Sequence, residues 1–407
     1  MAAEDRRESG FKDVTRVDAA RERLLDAVSP HGRVERVPLA DADARAVAEP
    51  VVADRPVPHY DRAAMDGYAV RAEDTFGASS RSPVVLEPAD QPGPHRAVRV
   101  HTGSELPDGA DAVVMIEQVE AVGGELEVFD AVAEGENVGP AGEDVEAGRT
   151  LYEPPHRLRP SDLGLLKSVG LDAVDVYERP RVAVVPTGEE LVQADPKPGE
   201  VIETNGQTVS QLVERWGGEA SYRDVVTDDH DALLAAVEAD LDHDAVVTTG
   251  GSSVGARDLM PEVVEELGEV LVHGVALKPG HPVALGAVED TPVLMLPGYP
   301  VACIVNAVQF LRPVVRRLGG LPETAHPTVR AELTRKIPSE PGTRTFARVR
   351  LEPREGEALP AATPTRASGS GVLSSVALAD GWVVVPEATD GFGEGRTVDV
   401  ERWEWSA

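Results

Sequence analysis

A chain of 407 residues exceeds what one hydrophobic core usually holds, so roughly two to four domains are expected. Lys and Arg number 39 against 71 Asp and Glu, and the formal charge of −32 repels phosphate backbones and anionic lipid alike, which disfavours a nucleic-acid or membrane-surface role. Hydrophobic residues make up 42% but aromatics only 4%, so the cores must rest mainly on Val, Leu and Ala, as is ordinary for α/β proteins.

Cys303 is the single cysteine, which excludes an intrachain disulfide and suits a reducing compartment, the cytoplasm by default. It reads as a small core residue on a helix. The N-terminal stretch MAAEDRRESGFKD is polar, without the apolar segment of a signal peptide, and no apolar run approaches the length needed to cross a bilayer. The acid excess runs through every segment and the basic residues are mostly Arg, a pattern that fits a surface kept soluble at high salt, as in a haloarchaeon.

In chain order, Val17, Ala20, Leu24 and Val28 follow helical spacing and are closed by Ser29-Pro30, predicting an amphipathic helix over 15–28. From about 50 to 140, short β-like runs (PVVLE, RAVRVHTG, DAVVMIE, ELEVFDAV) are split by Pro and Gly, which reads as an inserted β domain. RPSDLGLLKSVGL restores a helix, from near Ser161 to Gly170. Between 181 and 320, strand, loop and helix alternate, predicting a parallel sheet covered by helices on both faces. Within it, PVALGAV and PVLMLPG lead into the long helix VACIVNAVQFLRPVVRRLGG. After Pro322, TVRAEL, RTFARVRLE and GWVVVPE predict a small terminal β domain.

The stretch DAVVTTGGSSVGARD ends a buried strand on a loop with few side chains. At the carboxyl end of a parallel strand such a loop lets backbone N–H groups approach an anion, and the hydroxyls of Ser252 and Ser253 add donors without adding charge. It is neither a Walker A loop nor a G-x-G-x-x-G fingerprint, and a simple tight turn remains the plain alternative. Two loops at equivalent strand ends converge with it: VVPTGEEL, carrying Glu190, and LPGYPVA, carrying Pro297, Gly298 and Pro300. VALKPGHP adds Lys278 and His281, cationic groups suited to an oxyanion. Glu190, Asp228 and Asp258 fall at or just after strand ends, where they suit a hard cation such as Mg²⁺. In a chain with 71 acids, a solvated face residue is the ordinary reading of each. In the inserted domain Asp66-Gly67 and Thr102-Gly103 mark turns.

Together the motifs AMDGYAV, HTGSELPDGADAVV, PAGEDV, VVPTGEEL, TTGGSSVGARD, ALKPGHP and LPGYPVA resemble, in order and approximate spacing, the molybdopterin molybdenumtransferases of the MoeA family, related to the E domain of gephyrin. The resemblance implies an α/β multidomain fold: an elongated linking domain (14–48 and 140–178), an inserted β domain (49–139), a parallel-sheet molybdopterin-binding α/β domain (179–321) and a C-terminal β-barrel (322–407). It implies a homodimer that takes adenylylated molybdopterin and molybdate and, with Mg²⁺, releases AMP and leaves molybdenum on the dithiolene. A molybdopterin adenylyltransferase is the implied partner.

Carried over residue by residue, Gly250, Gly251, Ser252, Ser253 and Gly255 form the phosphate and pterin loop, and Glu190, Asp228 and Asp258 the cleft carboxylates. Asp66 and Thr102 reach the cleft from the partner subunit, and molybdate lies near Lys278, Arg348 and Ser370. Three positions depart from the family pattern: Tyr299 in place of Asn, His281 in place of a second Lys, and Thr204-Asn205-Gly206 where Ser-Asn-Ser is common. Two other functions stand beside this one, a tungstate-handling paralogue and a non-enzymatic molybdopterin carrier. The related adenylyltransferase activity leaves the two additional β domains unexplained.

Overall fold

The computed structural model describes residues 14–250, 259–365 and 370–405. It comprises two compact units, Arg36–Val176, and Met1–Glu35 with Tyr177–Ala407.

The unit Arg36–Val176 holds a six-stranded sheet in the order Ala112–Met115, Gly67–Val70, Arg96–Val100, Val84–Pro88, Glu125–Val128, Val119–Val122. Its core gathers Val70, Leu86, Val114, Leu126 and Val128, small aliphatic side chains that fit the shortage of aromatics. Gly67 is required at the first of these strands, because a Cβ there would drive into the Val114 carbonyl. A second core around Val47, Leu158, Leu166 and Val176 packs the helix Pro160–Ser168, one residue from the predicted start. Asp162 fixes its first turn: the buried carboxylate accepts from the Arg159 backbone N–H at 2.9 Å and from the Arg159 guanidinium, and lies 2.8 Å from His156 Nε2. That donor set outweighs burial and holds the Asp162 carboxyl well below the usual range.

The second unit carries a six-stranded sheet in the order Glu219–Tyr222, Arg181–Pro186, Ala245–Thr249, Thr291–Leu296, Ala284–Val288, Glu269–His273. The first four strands are parallel and the last two join antiparallel, so the sheet is parallel only where the alternating strand-helix pattern holds. The reason is local: only a two-residue connection separates Ala284–Val288 from Thr291–Leu296, and a parallel neighbour needs a long crossover. Ala245–Thr249 is buried at every position, as a strand covered on both faces must be. The helix Asn205–Arg215 covers one face through Val209, Leu212 and Val213, while Met260, Val263 and Val264 cover the other.

The helix expected from VACIVNAVQFLRPVVRRLGG forms as Pro300–Asn306, a π-helical turn Ala307–Leu311 and Arg312–Leu318. Pro313 has no N–H to give to the carbonyl four residues back, and a π turn absorbs the mismatch. The freed Gln309 carbonyl accepts instead from Arg21 Nε at 3.1 Å, while Arg21 Nη2 takes the Gln309 side chain at 2.7 Å. Arg21 belongs to the helix Val17–Asp26, whose Val17, Ala20 and Leu24 are fully buried in the same core. Cys303 is buried in that core and its thiol is pushed far up by burial, so it is an inert core residue.

Past residue 327 the strands Thr328–Leu333, Arg344–Glu352, Ala361–Pro364, Gly381–Val385 and Thr397–Glu401 close into a barrel, since Arg344–Glu352 pairs with both Ala361–Pro364 and Gly381–Val385. Leu277–Lys278 of the α/β region pairs in parallel with Arg344–Thr345 at its rim. That pairing brings the ALKPGHP turn to the barrel. No helix among the described residues is long and apolar enough to cross a membrane.

Candidate functional site

The strand ends of the parallel sheet form a cradle of glycines and threonines. Thr187 bridges Val226 beyond the paired strands, and the Gly188 N–H donates to the Val226 carbonyl at 3.1 Å. Gly250 follows the neighbouring strand with φ at +153°, and its N–H donates to the Leu296 carbonyl at 3.0 Å. A Cβ on Gly250 would strike the Thr187 carbonyl oxygen and sit 2.8 Å from Thr187 Oγ1, so only glycine lets these two strand ends approach. Gly298 stands alongside: a Cβ there would lie 3.7 Å from the Gly250 Cα. Asn205 Nδ2 donates to the Gly298 carbonyl at 2.7 Å and ties the third loop in place. The three glycine-bearing loops therefore meet. The hydroxyls of Thr187 and Thr249, in the residues flanking this contact, are buried and make no hydrogen bond among the described residues.

The Thr204-Asn205-Gly206 segment is explained by the same surroundings. A side chain at Gly206 would come within 2.6 Å of the Tyr222 ring and 2.9 Å of Pro186. The Gly206 N–H donates to Glu203 Oε1 at 2.7 Å, and the other Glu203 oxygen accepts from the Tyr222 hydroxyl. Tyr222 thus fills the volume a serine would take.

Beside the cradle lies a cleft of 790 Å³ between the α/β region and the barrel. Lys278, His281, Pro297, Arg348 and Ser370 all line it, brought together from the ALKPGHP turn, the PGYP turn and the barrel. The PGYP turn separates the two regions, since Pro297 and Tyr299 face the cleft while Gly298 abuts Gly250. Pro300 starts the following helix, and the Val301 N–H donates to the Ser370 carbonyl at 2.9 Å. Gly280, with φ at +113°, lets the ALKPGHP turn close on the helix: Asn306 Nδ2 donates to its carbonyl at 3.0 Å, and a Cβ would collide with that amide. Tyr299 is 65% exposed, its ring packed only lightly beside Gly371.

Two basic residues the sequence reading missed, Arg335 and Lys336, line the same cleft. The pair precedes a short strand in TRKIPSE, and nothing in that segment by itself tells a cleft from solvent. Four cationic side chains, Lys278, Arg335, Lys336 and Arg348, thus converge in a chain whose net charge is −32, with Glu340 the one acid on the lining among the described residues. Lys278 Nζ donates to Glu340 Oε1 at 2.9 Å, and this contact holds the Glu340 carboxyl below its usual range. Burial presses the Arg348 guanidinium the other way, toward its neutral form, while Nη1 donates to the Phe346 carbonyl at 3.3 Å. His281 is shifted down by burial and then by the neighbouring Lys278 charge, so near neutral pH the ring is uncharged. The resemblance made His281 a cation in place of lysine. Both surroundings favour the neutral ring, which can donate or accept a hydrogen bond.

In the other unit, Asp66 and Thr102 are joined directly. Asp66 Oδ1 accepts from the Thr102 N–H at 2.7 Å and the Thr102 hydroxyl at 3.0 Å, which holds the exposed carboxyl below its ordinary value. Glu190 and Asp228 each follow by two or three residues the bridged pair Thr187 and Val226, and Glu190 is exposed. Gly251, Ser252, Ser253, Gly255 and Asp258 lie outside the described residues. Among those described, one group of three metal-ligating side chains clusters, Asp240, Asp242 and His243. There Asp240 is bound by the Arg223 guanidinium and His243 Nδ1 lies 2.9 Å from Asp242, so the cluster is an ion-pair network.

Residues 15–170 match the MoeA N-terminal region (domain I and II), 183–317 the family described as a probable molybdopterin binding domain, and 330–403 the MoeA C-terminal region (domain IV). The chain is 35% identical over 402 residues to the molybdopterin molybdenumtransferase of Bacillus subtilis, covering 92% of this chain and 93% of that one. It is 34% identical over 374 residues to molybdopterin molybdenumtransferase 2 of Mycobacterium tuberculosis, covering 86% and 90%. A crystal structure of a molybdopterin biosynthesis MoeA protein from Pyrococcus horikoshii superposes with a TM-score of 0.82 at 36% identity, over 96% of this chain and 99% of that one.

Proposed function

The chain belongs to the MoeA family, and on that premise we propose that it inserts molybdenum into adenylylated molybdopterin with release of AMP. The observation that carries the reading is the meeting of four basic side chains in one cleft of an otherwise strongly acidic protein, beside a glycine cradle at the carboxyl ends of parallel strands. A tetrahedral dianion is the substrate such a cleft suits, because each charge-assisted hydrogen bond to it is strengthened where water is partly excluded.

In this reading the cradle holds the phosphates through the loop Gly251, Ser252, Ser253 and Gly255, with the Thr187 and Thr249 hydroxyls as further donors, while the Gly250 N–H stays engaged with the Leu296 carbonyl. Lys278 and Arg348 hold molybdate, and Ser370 adds a hydroxyl. The PGYP turn keeps the two anions apart until the oxyanion and the dithiolene sulfurs are aligned, which lowers the barrier chiefly through orientation. The neutral imidazole of His281 hydrogen-bonds the oxyanion without adding to its charge balance.

Glu190, Asp228 and Asp258 would hold Mg²⁺. Their carboxylate oxygens are the donors a hard cation takes, and Glu190 and Asp228 leave strand ends that are bridged to each other. When bound, the ion neutralises charge on the departing adenylyl phosphate. We further propose that Asp66 and Thr102 complete the site of a second copy of the chain in a cytoplasmic homodimer, and that the acidic surface is an adaptation to high salt.

The experiment is incubation of the purified protein with adenylylated molybdopterin, Mg²⁺ and molybdate. Release of AMP dependent on molybdate supports transfer, whereas ATP-dependent adenylylation of molybdopterin points to the related adenylyltransferase. Binding without turnover points to a carrier, and a preference for tungstate to the sibling metal. For the dimer, inactive Asp66→Asn and Asp258→Ala proteins are mixed under conditions that exchange subunits. Recovery of about a quarter of wild-type activity supports a shared site, because random exchange makes roughly half the dimers mixed and each of these has one intact site. No recovery, with exchange verified by tagged subunits, removes the shared site.

A further inference from the structure

Among the described residues the cleft holds one acid beside its cations, and that acid sits on the cation with which the oxyanion reading begins. Glu340 lies in the short segment between Ile337–Pro338 and the barrel strand Arg344–Glu352. Its position is set by the loop: the Ser339 N–H donates to the Asp390 carbonyl at 2.9 Å, the Gly342 N–H to the Glu387 carbonyl at 2.7 Å, and Ser339 Oγ meets Thr345 Oγ1 at 2.7 Å. The same strand is tied to Lys278 through the pairing of Leu277–Lys278 with Arg344–Thr345. Two backbone restraints thus bring a carboxylate oxygen to 2.9 Å from Lys278 Nζ across 62 residues of sequence.

We infer that Glu340 is a displaceable counter-anion that occupies the oxyanion position on Lys278, so that an incoming tetrahedral dianion binds by exchanging with this carboxylate. The inference rests on the oxyanion reading of the cleft and deepens it. Three features make Glu340 suited to exchange. A carboxylate presents two oxygens to an ammonium much as one edge of a tetrahedral oxyanion does. Both partners are more than half exposed, so the pair is weak and readily opened. Finally, Lys278, Arg335, Lys336 and Arg348 together give a dianion several cationic neighbours, while among the described residues the single charge of Glu340 meets only Lys278 at hydrogen-bond distance. A monoanion is therefore disfavoured as competitor, and the device discriminates by ligand charge.

The probe is molybdate alone, titrated calorimetrically into the full-length protein at fixed ionic strength, for wild type, Glu340→Gln, Lys278→Gln and the double variant. Glu340→Gln is expected to bind molybdate about two- to fivefold more tightly, the competition that an exposed ion pair supplies. Lys278→Gln should bind more weakly, and in its background Glu340→Gln should give no such gain. Nitrate, a monoanion, should compete measurably better in Glu340→Gln than in wild type. Unchanged or weaker molybdate binding in Glu340→Gln overturns the exchange, as does an equal gain in the Lys278→Gln background, which would mean only a general effect of removing negative charge. Molybdate-dependent AMP release, followed separately in wild type, reports on the transferase reading. An active wild type whose Glu340→Gln variant shows no gain loses the counter-anion and keeps the enzyme.

Discussion

The cradle and the cleft stand side by side and are built on opposite principles. The cradle is made of backbone: Gly250 and Thr187 approach so closely that a side chain at 250 is excluded, and the free donors beside them are the buried hydroxyls of Thr187 and Thr249. The cleft is made of long charged side chains, Lys278, Arg335, Lys336 and Arg348, of which Lys278 is held by Glu340 and the two arginines donate to the Pro364 and Phe346 carbonyls. A bulky ligand held for positioning gains from the first kind of site, and a small diffusing dianion from the second. The contrast predicts that the two halves respond to different perturbations.

The largest effect is expected at Gly250. Gly250→Ala forces a Cβ against the Thr187 carbonyl at a φ of +153°, which costs about 1–3 kcal/mol in backbone strain and shifts the loop that follows. A displacement of about 1 Å at such a loop lowers turnover by roughly 100-fold. AMP release and urea unfolding measure the two parts. Gly298→Ala, whose added methyl meets only an ordinary contact at 3.7 Å, serves as the mild control. Near-wild-type turnover in Gly250→Ala would deny the cradle its rigid role.

Lys278→Ala is next. Loss of one charge-assisted hydrogen bond should raise the molybdate needed for half-maximal AMP release about tenfold or more, with affinity for adenylylated molybdopterin nearly unchanged. Equal damage to both ligands would dissolve the division between cradle and cleft.

Salt sharpens the contrast further. Molybdate affinity should fall as KCl rises, because an exposed cationic cleft is screened, while the backbone cradle keeps most of its hold on the pterin phosphate. Over the same range, screening of the −32 net charge should raise the melting temperature. A melting curve unchanged or lowered in molar KCl would count against salt adaptation.

The smallest effect concerns His281. With its pKa below the ordinary value near 6.5, the ring is neutral at neutral pH, so His281→Gln should alter molybdate affinity by no more than about twofold between pH 7 and 8. His281→Lys should strengthen it. The linkage runs in the matching direction: stability drawn from the neutral buried ring is complete above about 6.5 and is lost as pH falls through the lowered value. A pronounced affinity loss in His281→Gln over that range would restore the charged role expected from the sequence pattern.

Much of the architecture was legible without coordinates. The run AVVTT reads as a doubly covered strand because burial on both faces demands unbroken apolar character, and the glycines after it announce a close approach of backbones. The antiparallel turn of Ala284–Val288 and Thr291–Leu296 was less legible, since two apolar runs in succession do not by themselves state their relative direction. The π turn was not read from the run VACIVNAVQFLRPVVRRLGG, which suggests one continuous helix, and the arginine that takes the carbonyl freed by Pro313 lies 288 residues away.

The sequence by itself determined where backbone must come close, because glycine conformations and hydrophobic period are local properties of the chain. Which charges face one another was decided only by the tertiary structure. Arg335, Lys336 and Glu340 look like ordinary surface residues in TRKIPSE, and the pairing of Leu277–Lys278 with Arg344–Thr345 turns them into the wall of a cleft. The physical reason is that a hydrophobic pattern fixes which face of an element is buried, whereas a charge acts through distance, and distance between segments exists only after the domains have packed.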